Sequence, residues 1–265
     1  MKKILAVLFA VCLLCTSAFP SLAAEPATPP AGEIVLSEAT VAQKKEARSL
    51  ATPAEKREYL HEILQELGAD VTLADRLDDT FVDALANAEE FGYSTPAASP
   101  TTYSSDTSGN NVRQYEDIDL LIIWGRTGNE YSIIGGCEWK KLPVMRLKDI
   151  ISLDIGSGSI QNTQVLSVVY TKNGQSYEDA YDRNSNEYRG IGTACAFEFN
   201  LPNSADTMSI IIGYTINTPN RDNTISLQYF HKYLPATLSI GVSHVVGISV
   251  SLPFARTEYS LQCGT

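Results

Sequence analysis

From residue 113 onward apolar residues fall at every second position, and this period of two constrains the chain more than any other feature of it. Ile118, Leu120, Ile122 and Trp124 alternate with Asp119, Leu121 and Ile123. Leu166, Val168 and Tyr170 form a second run, Met208, Ile210, Ile212, Tyr214 and Ile216 a third, and Ile225, Leu227, Tyr229, His231 and Tyr233 a fourth. Successive side chains of a strand point to opposite faces, so such runs gather one apolar face only as strands. Turn-forming residues separate them: Thr127-Gly128-Asn129, Asn173-Gly174, Pro202-Asn203 and Asn220-Arg221-Asp222-Asn223. No long helical pattern intervenes, which disfavours a parallel α/β sheet. The expected fold is mainly β: an antiparallel β-sandwich of about eight or nine strands over 113–265, preceded by a short acidic helical hairpin.

One late stretch differs from the others. Ile240, Val242, Val246, Ile248, Val250 and Leu252 share a parity with His244, while Ser239, Gly241, Ser243, Gly247, Ser249 and Ser251 occupy the other. Read as one long strand, Ser239–Leu252 suits a sandwich with its small face to solvent or under another layer. It also has the apolar/small alternation of a membrane-spanning strand in a secreted pore-former.

Ahead of the β region the period is 3.6. Thr52-Pro53-Ala54-Glu55 is a capping box, with Thr52 as N-cap, Pro53 at the first helical position and Glu55 reaching back. Leu60, Ile63, Leu64 and Leu67 then line one face, and Gly68 closes the helix. A second helix begins near Asp79 or Thr80 and carries Phe81, Val82, Leu85 and Phe91 before Gly92. Two short helices hold too few large apolar groups for a core of their own, so the hairpin (52–92) is expected to dock on something. Residues 25–51 open with Pro26, Pro29 and Pro30 and read as a flexible leader; residues 93–112, rich in Ser, Thr and Pro, read as a linker.

The first 24 residues read as a signal peptide. Lys2 and Lys3 give a positive start, Ile4–Leu14 an apolar stretch too short to span a bilayer, and Ser21-Leu22-Ala23 a cleavage site. Val11 and Leu14 precede Cys12 and Cys15, where lipid attachment needs a small residue. No later segment is apolar enough for a transmembrane helix, so the expectation is a secreted, extracellular protein. Cleavage leaves Cys137, Cys195 and Cys263, an odd number, with Cys137 sharing a parity with Trp139 and Cys195 with Phe197 and Phe199. Buried unpaired thiols are at least as good a reading as a disulfide.

Cleavage also removes Lys2 and Lys3, leaving 18 basic against 31 acidic residues, or −13. Clustered positive charge, which nucleic acid and anionic membranes require, is missing. Residues 25–112 carry 6 basic and 16 acidic residues, so the acidity sits in the helical arm and its flanks.

The familiar catalytic motifs, G-x-S-x-G, H-E-x-x-H, the phosphate-binding loop and C-x-x-C, do not occur. His61 lies on the flank of the first helix, His231 between two tyrosines and His244 among valines, which suits structural histidines better than bases. The richest stretch is Tyr177–Tyr188. Asp182, Asn184 and Asn186 have the spacing that points alternate oxygens at a Ca²⁺ ion, although Glu187 stands where an EF-hand needs glycine and Thr193 where it needs glutamate. Tyr177, Asp179, Tyr181 and Tyr188 combine aromatic faces with hydrogen-bonding groups, as a site for a polar ligand such as a sugar would. Turn and loop composition alone accounts for the same residues.

A signal peptide, a short acidic helical hairpin, a Ser/Thr-rich linker and a β domain containing Glu138-Trp139 and Pro143 resemble, in layout, secreted proteins of Gram-positive bacteria that carry no assigned function. The resemblance implies export and carries over no site residue. The expected function is therefore a secreted, non-enzymatic binding or interaction protein for an unknown extracellular ligand or surface. A pore-forming or membrane-active protein is the alternative, and an extracellular hydrolase with an unrecognised site the second.

Overall fold

The structure, a computed structural model, describes residues 32–34, 52–66, 71–94, 117–144, 146–190, 192–232, 239–242, 248–251 and 256–265. Residues 1–24, expected to be a signal peptide, most of the expected leader, residues 95–112 of the linker, Leu67, Gly68 and His244 lie outside them. The described elements are β1 (Gly32–Ile34), α1 (Pro53–Glu66), α2 (Leu73–Arg76), α3 (Asp79–Ala86), β2 (Glu90–Ser94), β3 (Ile118–Thr127), β4 (Glu130–Trp139) and β5 (Lys148–Ile155). There follow β6 (Ser159–Ile160), β7 (Val165–Lys172), β8 (Gln175–Asp182), β9 (Ala194–Asn200), β10 (Thr207–Asn217), β11 (Thr224–Lys232), β12 (Ser239–Val242), β13 (Ile248–Ser251) and β14 (Arg256–Gly264).

The fold is mainly β and antiparallel. The larger sheet runs β1-β2-β3-β4-β10-β7-β8, with β6 also on β10; the smaller runs β14-β11-β5-β9. Among the described elements nine strands reach seven residues or more, and the short β6, β12 and β13 make up the rest of the region from residue 118. The period-two runs fill the interior between the sheets. Ile118, Leu120, Ile122 and Trp124 of β3 join Ile210, Ile212, Tyr214 and Ile216 of β10, and Ile225, Leu227 and Tyr229 of β11, in one buried cluster. The turns follow the sequence: Asn173 (φ 53°) and Gly174 (φ 74°) take the left-handed conformations that a two-residue hairpin requires.

The outer face of the larger sheet is apolar too, and the helices cover it. Leu60, Ile63 and Leu64 of α1 and Phe81, Val82 and Leu85 of α3 bury against Ile123, Ile134 and Ile211. The hairpin therefore forms a third layer on the sandwich. Its capping box is present: the Thr52 N–H donates to Glu55 Oε2 at 2.6 Å and the Glu55 N–H to Thr52 Oγ1 at 3.4 Å. Asp78 caps α3 by accepting from the Thr80 N–H at 2.8 Å. Gly125 of β3 makes the close approach possible, since a Cβ there would stand 2.8 Å from Ala88 Cβ and 3.0 Å from Leu85 Cδ2.

Two expectations need correction. The second helix ends at Ala86, not near Gly92: the Glu89 N–H donates to the Arg126 carbonyl at 2.6 Å, and Phe91 and Gly92 lie in β2, opposite Gly125 and Trp124 of β3. Gly92 is no helix terminator. It leaves room for the Trp124 ring, whose Cε2 would lie 2.2 Å from a Cβ at that position. The Ser239–Leu252 stretch is likewise not one strand but a hairpin, pairing Ile240 with Val250 and Val242 with Ile248 in a separate two-stranded sheet. In this particular register each residue faces one of its own parity, Ser239 with Ser251 and Ile240 with Val250, so the alternation that suggested one strand suits two equally well.

Cys137, Cys195 and Cys263 are all free and buried. Cys137 and Trp139, and Cys195 with Phe197 and Phe199, belong to the sandwich core. Burial pushes the Cys137 and Cys195 thiols well above their ordinary range and Cys263 up to about 12.

Candidate functional site

The stretch Tyr177–Tyr188 begins as strand, not loop. Its first half belongs to β8, which pairs with β7 and ends the larger sheet. Register divides its residues between two faces. Tyr177, Asp179 and Tyr181 stand opposite Tyr170, Val168 and Leu166, whose side chains point into the sandwich. Glu178, Ala180 and Asp182 stand opposite Val169, Ser167 and Val165, on the face where the helices lie.

The tyrosines therefore do not converge as one set. Tyr181 and Tyr188 pack against the sandwich core, Tyr188 tilted on Phe197 at 5.3 Å between ring centroids. Partial burial pushes both their hydroxyls up. Tyr177 is 42% exposed and stacks on Tyr170 at 5.4 Å and 17°. Asp179 is exposed beside it.

Asp182 starts a tight polar turn. Its Oδ1 accepts the Asn184 N–H at 2.8 Å and the Ser185 hydroxyl at 3.3 Å, and its Oδ2 accepts the Asn184 amide at 3.2 Å. These bonds hold the carboxyl below its ordinary range, the Asn184 N–H contributing most. Asn186 presents its carbonyl to Arg189. Asp182, Asn184 and Ser185 thus build an Asx-type turn through hydrogen bonds of their own. Among the described residues no cluster of three or more His, Cys, Asp or Glu side chains has the geometry of a metal site.

A groove of about 810 Å³ opens between the helical layer and β7–β8, within the range of small-ligand sites. Its floor is apolar, from Val165, Val169, Ile134 and Ile211 of the sheet and Phe81 of α3. Asp75, Arg76 and Asp78 form the helical wall; Glu178, Asp182 and Ser185 form the strand wall. Each wall is held in place. Asp75 Oδ1 lies 3.0 Å from His61 Nε2, Arg76 Nη1 donates to Ser209 Oγ at 2.8 Å, and Ser167 Oγ donates to Glu178 at 2.7 Å. The groove exists because three helices span β3, β4 and β10 but leave the outer face of β7 and β8 bare.

A polar hollow of about 510 Å³ continues from it, sharing Val165 and Asp182 and adding Asn162, Thr163, Gln164, Arg183 and Asn184. Gln164 is 6% exposed, and its Oε1 has no hydrogen-bond partner among the described residues. A buried polar group left unpaired costs about 1–3 kcal/mol. Sequence reasoning missed Gln164, although its parity with Leu166 and Val168 places it on the inward face.

It also missed Asp149, wholly buried, which accepts the Tyr229 hydroxyl at 2.5 Å and lies 2.8 Å from His231 Nδ1. Trp139 Nε1 donates to the Tyr229 hydroxyl at 3.2 Å and closes this network across the two sheets. Burial, then the Asp149 charge, push the Tyr229 hydroxyl well above its ordinary range. Asp149 shares a parity with Ile151, Leu153 and Ile155, and a carboxylate in that register demands a buried partner. His231 is thus a structural histidine, as its place in the strand suggested. It and the thiols lie in the core, away from the groove.

No protein-family model and no curated protein matches the chain. Among solved structures it is similar to the collagen-binding subdomain of Enterococcus faecalis surface protein ACE, 11% identical over 53% of this chain and 90% of that one, with a TM-score of 0.32. It is similar also to Clostridium perfringens delta-toxin, 8% identical over 66% of this chain and 90% of that one, at 0.25. A third likeness is to a chain in the structure of manganese lipoxygenase of Gaeumannomyces graminis with part of zonadhesin of Komagataella pastoris, 9% identical over 54% of this chain at 0.32. The chain spans half the length of that last one. At these TM-scores none of the likenesses carries an argument about activity.

Proposed function

We propose that this chain is a secreted, non-enzymatic binding protein that takes its extracellular ligand in the groove between the helical layer and β7–β8. The observation that carries the reading is the groove itself: open, apolar at its floor, and walled by polar side chains already fixed by their own hydrogen bonds. Walls set before binding lower the ordering cost of association. The chemistry available also favours binding over turnover. The three thiols are buried with their protons held tightly, whereas a nucleophilic cysteine is partly exposed with its proton loosened. The Asp182 carboxyl is held low, the opposite of what a general acid at neutral pH requires.

The test is retention of the fluorescently labelled secreted chain on intact cells and on immobilised extracellular-matrix proteins and polysaccharides. Ala180 is exposed on the groove wall, so Ala180→Trp fills the groove without touching the core. Retention lost in this variant, with the melting temperature unchanged, is the expected result. A wild-type chain that no surface retains, or a variant retained as well as wild type, would sink the reading.

The second reading, membrane activity, rests on the β12–β13 hairpin. Its register pairs Ser239 with Ser251, Ile240 with Val250, Gly241 with Ser249 and Val242 with Ile248. The described ladder has four residue pairs, about 13 Å at ~3.3 Å per residue, against a hydrocarbon core of about 30 Å. Among the described residues no helix is long and apolar enough to cross a membrane. Release of dye from liposomes separates the two readings, since only the second requires it.

A further inference from the structure

We infer that the free edge of β8 takes an extended, basic segment of another polypeptide as an added strand, with lysine or arginine side chains reaching into the acidic groove. This rests on the binding reading above and names the ligand class. β8 ends the larger sheet: among the described residues β7 pairs with one edge of it and no strand with the other. Its eight residues pair with β7 without a bulge and include neither proline nor lysine, so the devices that commonly blunt a free edge are missing.

The register decides which backbone groups that edge offers. Asn173 and Gly174 form a two-residue turn, so Lys172 and Gln175 beside it face each other as a hydrogen-bonded pair. Alternation from there turns the N–H and C=O of Tyr177, Asp179 and Tyr181 toward β7, and those of Ser176, Glu178 and Ala180 away from it. Two bonds agree with this assignment. The carbonyl of Thr171, which stands opposite Ser176, is turned away from β8 and accepts the Asp206 N–H at 2.7 Å. The Asp182 N–H, next in the outward set, donates to Ser185 Oγ at 2.8 Å. Ser176, Glu178 and Ala180 are exposed, and a strand laid along them meets their N–H and C=O groups as a ladder.

Charge selects the strand. The groove beside β8 is lined by four carboxylates, Asp75, Asp78, Glu178 and Asp182, against one cation, Arg76, which already donates to Ser209 and lies 3.9 Å from Glu138. Glu178 and Asp182 flank the small Ala180 on the helix-side face. A lysine or arginine of the added strand lays its carbon stem over Ala180 toward Val165 and Val169 and leaves its charge among the carboxylates. On the opposite face the exposed Asp179 and the Tyr177 ring, 42% exposed, meet the alternate side chains, and both attract a cation. A second copy of β8 would instead set carboxylates against carboxylates, which destabilises a strand pair.

The test is calorimetric titration of the full chain with three capped heptapeptides. One alternates lysine with valine, one alternates glutamate with valine, and the third is the lysine peptide N-methylated at every residue, which keeps its charge and side chains but removes its backbone donors. Only the first should bind saturably, and more weakly as salt rises. Ala180→Pro removes an outward N–H and sets a proline ring on the edge, so it should weaken binding by roughly tenfold or more. It should lower the melting temperature far less than Asp179→Pro, whose lost N–H faces β7. Glu178→Gln keeps an acceptor for the Ser167 hydroxyl and should weaken binding severalfold through its lost charge.

Equal binding of the N-methylated peptide would overturn strand addition, and equal binding of the glutamate peptide would overturn the charge assignment. Unchanged binding in Ala180→Pro, equal melting losses in the two proline variants, or no heat with the lysine peptide at millimolar concentration would each overturn the inference. Dimerisation in sedimentation that Ala180→Pro abolishes would give the edge to a second copy and overturn it too. Surface retention that Ala180→Trp abolishes but the lysine peptide does not compete would overturn it and leave the binding reading standing. Loss of retention and of peptide binding together would remove both.

Discussion

Gly125→Ala tests whether the helical layer is held on the sheet as tightly as the structure shows. The backbone does not demand glycine there, since Gly125 is not among the positive-φ glycines. The added methyl would stand 2.8 Å from Ala88 Cβ, 3.0 Å from Leu85 Cδ2 and 3.5 Å from Leu85 Cα. Ala88 has no rotamer with which to retreat, so the segment after α3 must lift. Overpacking of this kind costs about 1–3 kcal/mol, and replacing glycine within a strand returns roughly 0.5–1 kcal/mol. The net loss is about 0–2.5 kcal/mol, centred near 1, or up to roughly 10 °C in melting temperature for a domain of this size. Thermal unfolding followed by circular dichroism measures it. Ala88→Gly reopens the space, so the double variant should recover much of the loss, with a coupling of about 0.5–3 kcal/mol between contacting sites. A higher melting temperature in Gly125→Ala, or simple additivity in the double variant, would refute the close approach of α3 to the sheet.

Four further outcomes concern the buried groups and the expected signal peptide. Asp149→Ala strips the acceptor from Tyr229 and His231 and should cost about 3–5 kcal/mol in urea unfolding, whereas Asp119→Ala, which breaks the exposed pair with Lys140, should cost at most about 1 kcal/mol; near-equal losses would contradict the buried network. The folded chain holds the protons of Cys137, Cys195, Tyr214 and Tyr229 well above their ordinary range and that of Cys263 up to about 12. These groups should therefore leave stability unchanged up to about pH 8 and lower it as pH rises from about 9 to 12, and Ellman's reagent at pH 8 should find no thiol until the chain is unfolded. Native colour development would place a thiol at the surface. Intact mass of protein recovered from culture medium should show a chain beginning at Ala24 or Glu25, against which retention of Met1 would count.

The sandwich was legible because its signal is local. Alternation in β3, β7, β10 and β11, with turn residues between the runs, fixes which side chains share a face and where the chain reverses. The capping box at Thr52–Glu55 and the inward parity of Cys137 and Cys195 are local in the same sense. Leu121 and Ile123, which alternate with the β3 run, face the helices in the structure. Their spacing could not say what covers that face.

That second answer lay in contacts between distant parts of the chain. Phe91 and Gly92 continue a helical pattern by spacing, and only the Glu89 N–H meeting the Arg126 carbonyl turns them into a strand on β3. Asp149 and His231, 82 residues apart, become one network because β5 and β11 are neighbours in the smaller sheet. The hairpin at 239–251 keeps the parity of a single strand, so its reversal left no trace in the alternation. The Asp182 spacing suggested a cation, and the structure adds that Asp182 also accepts hydrogen bonds from Asn184 and Ser185. The groove belongs to no segment at all. It is the part of the outer sheet face that three helices are too few to cover, and periodicity, which records the facing of each residue, holds no information about the extent of the layer above it.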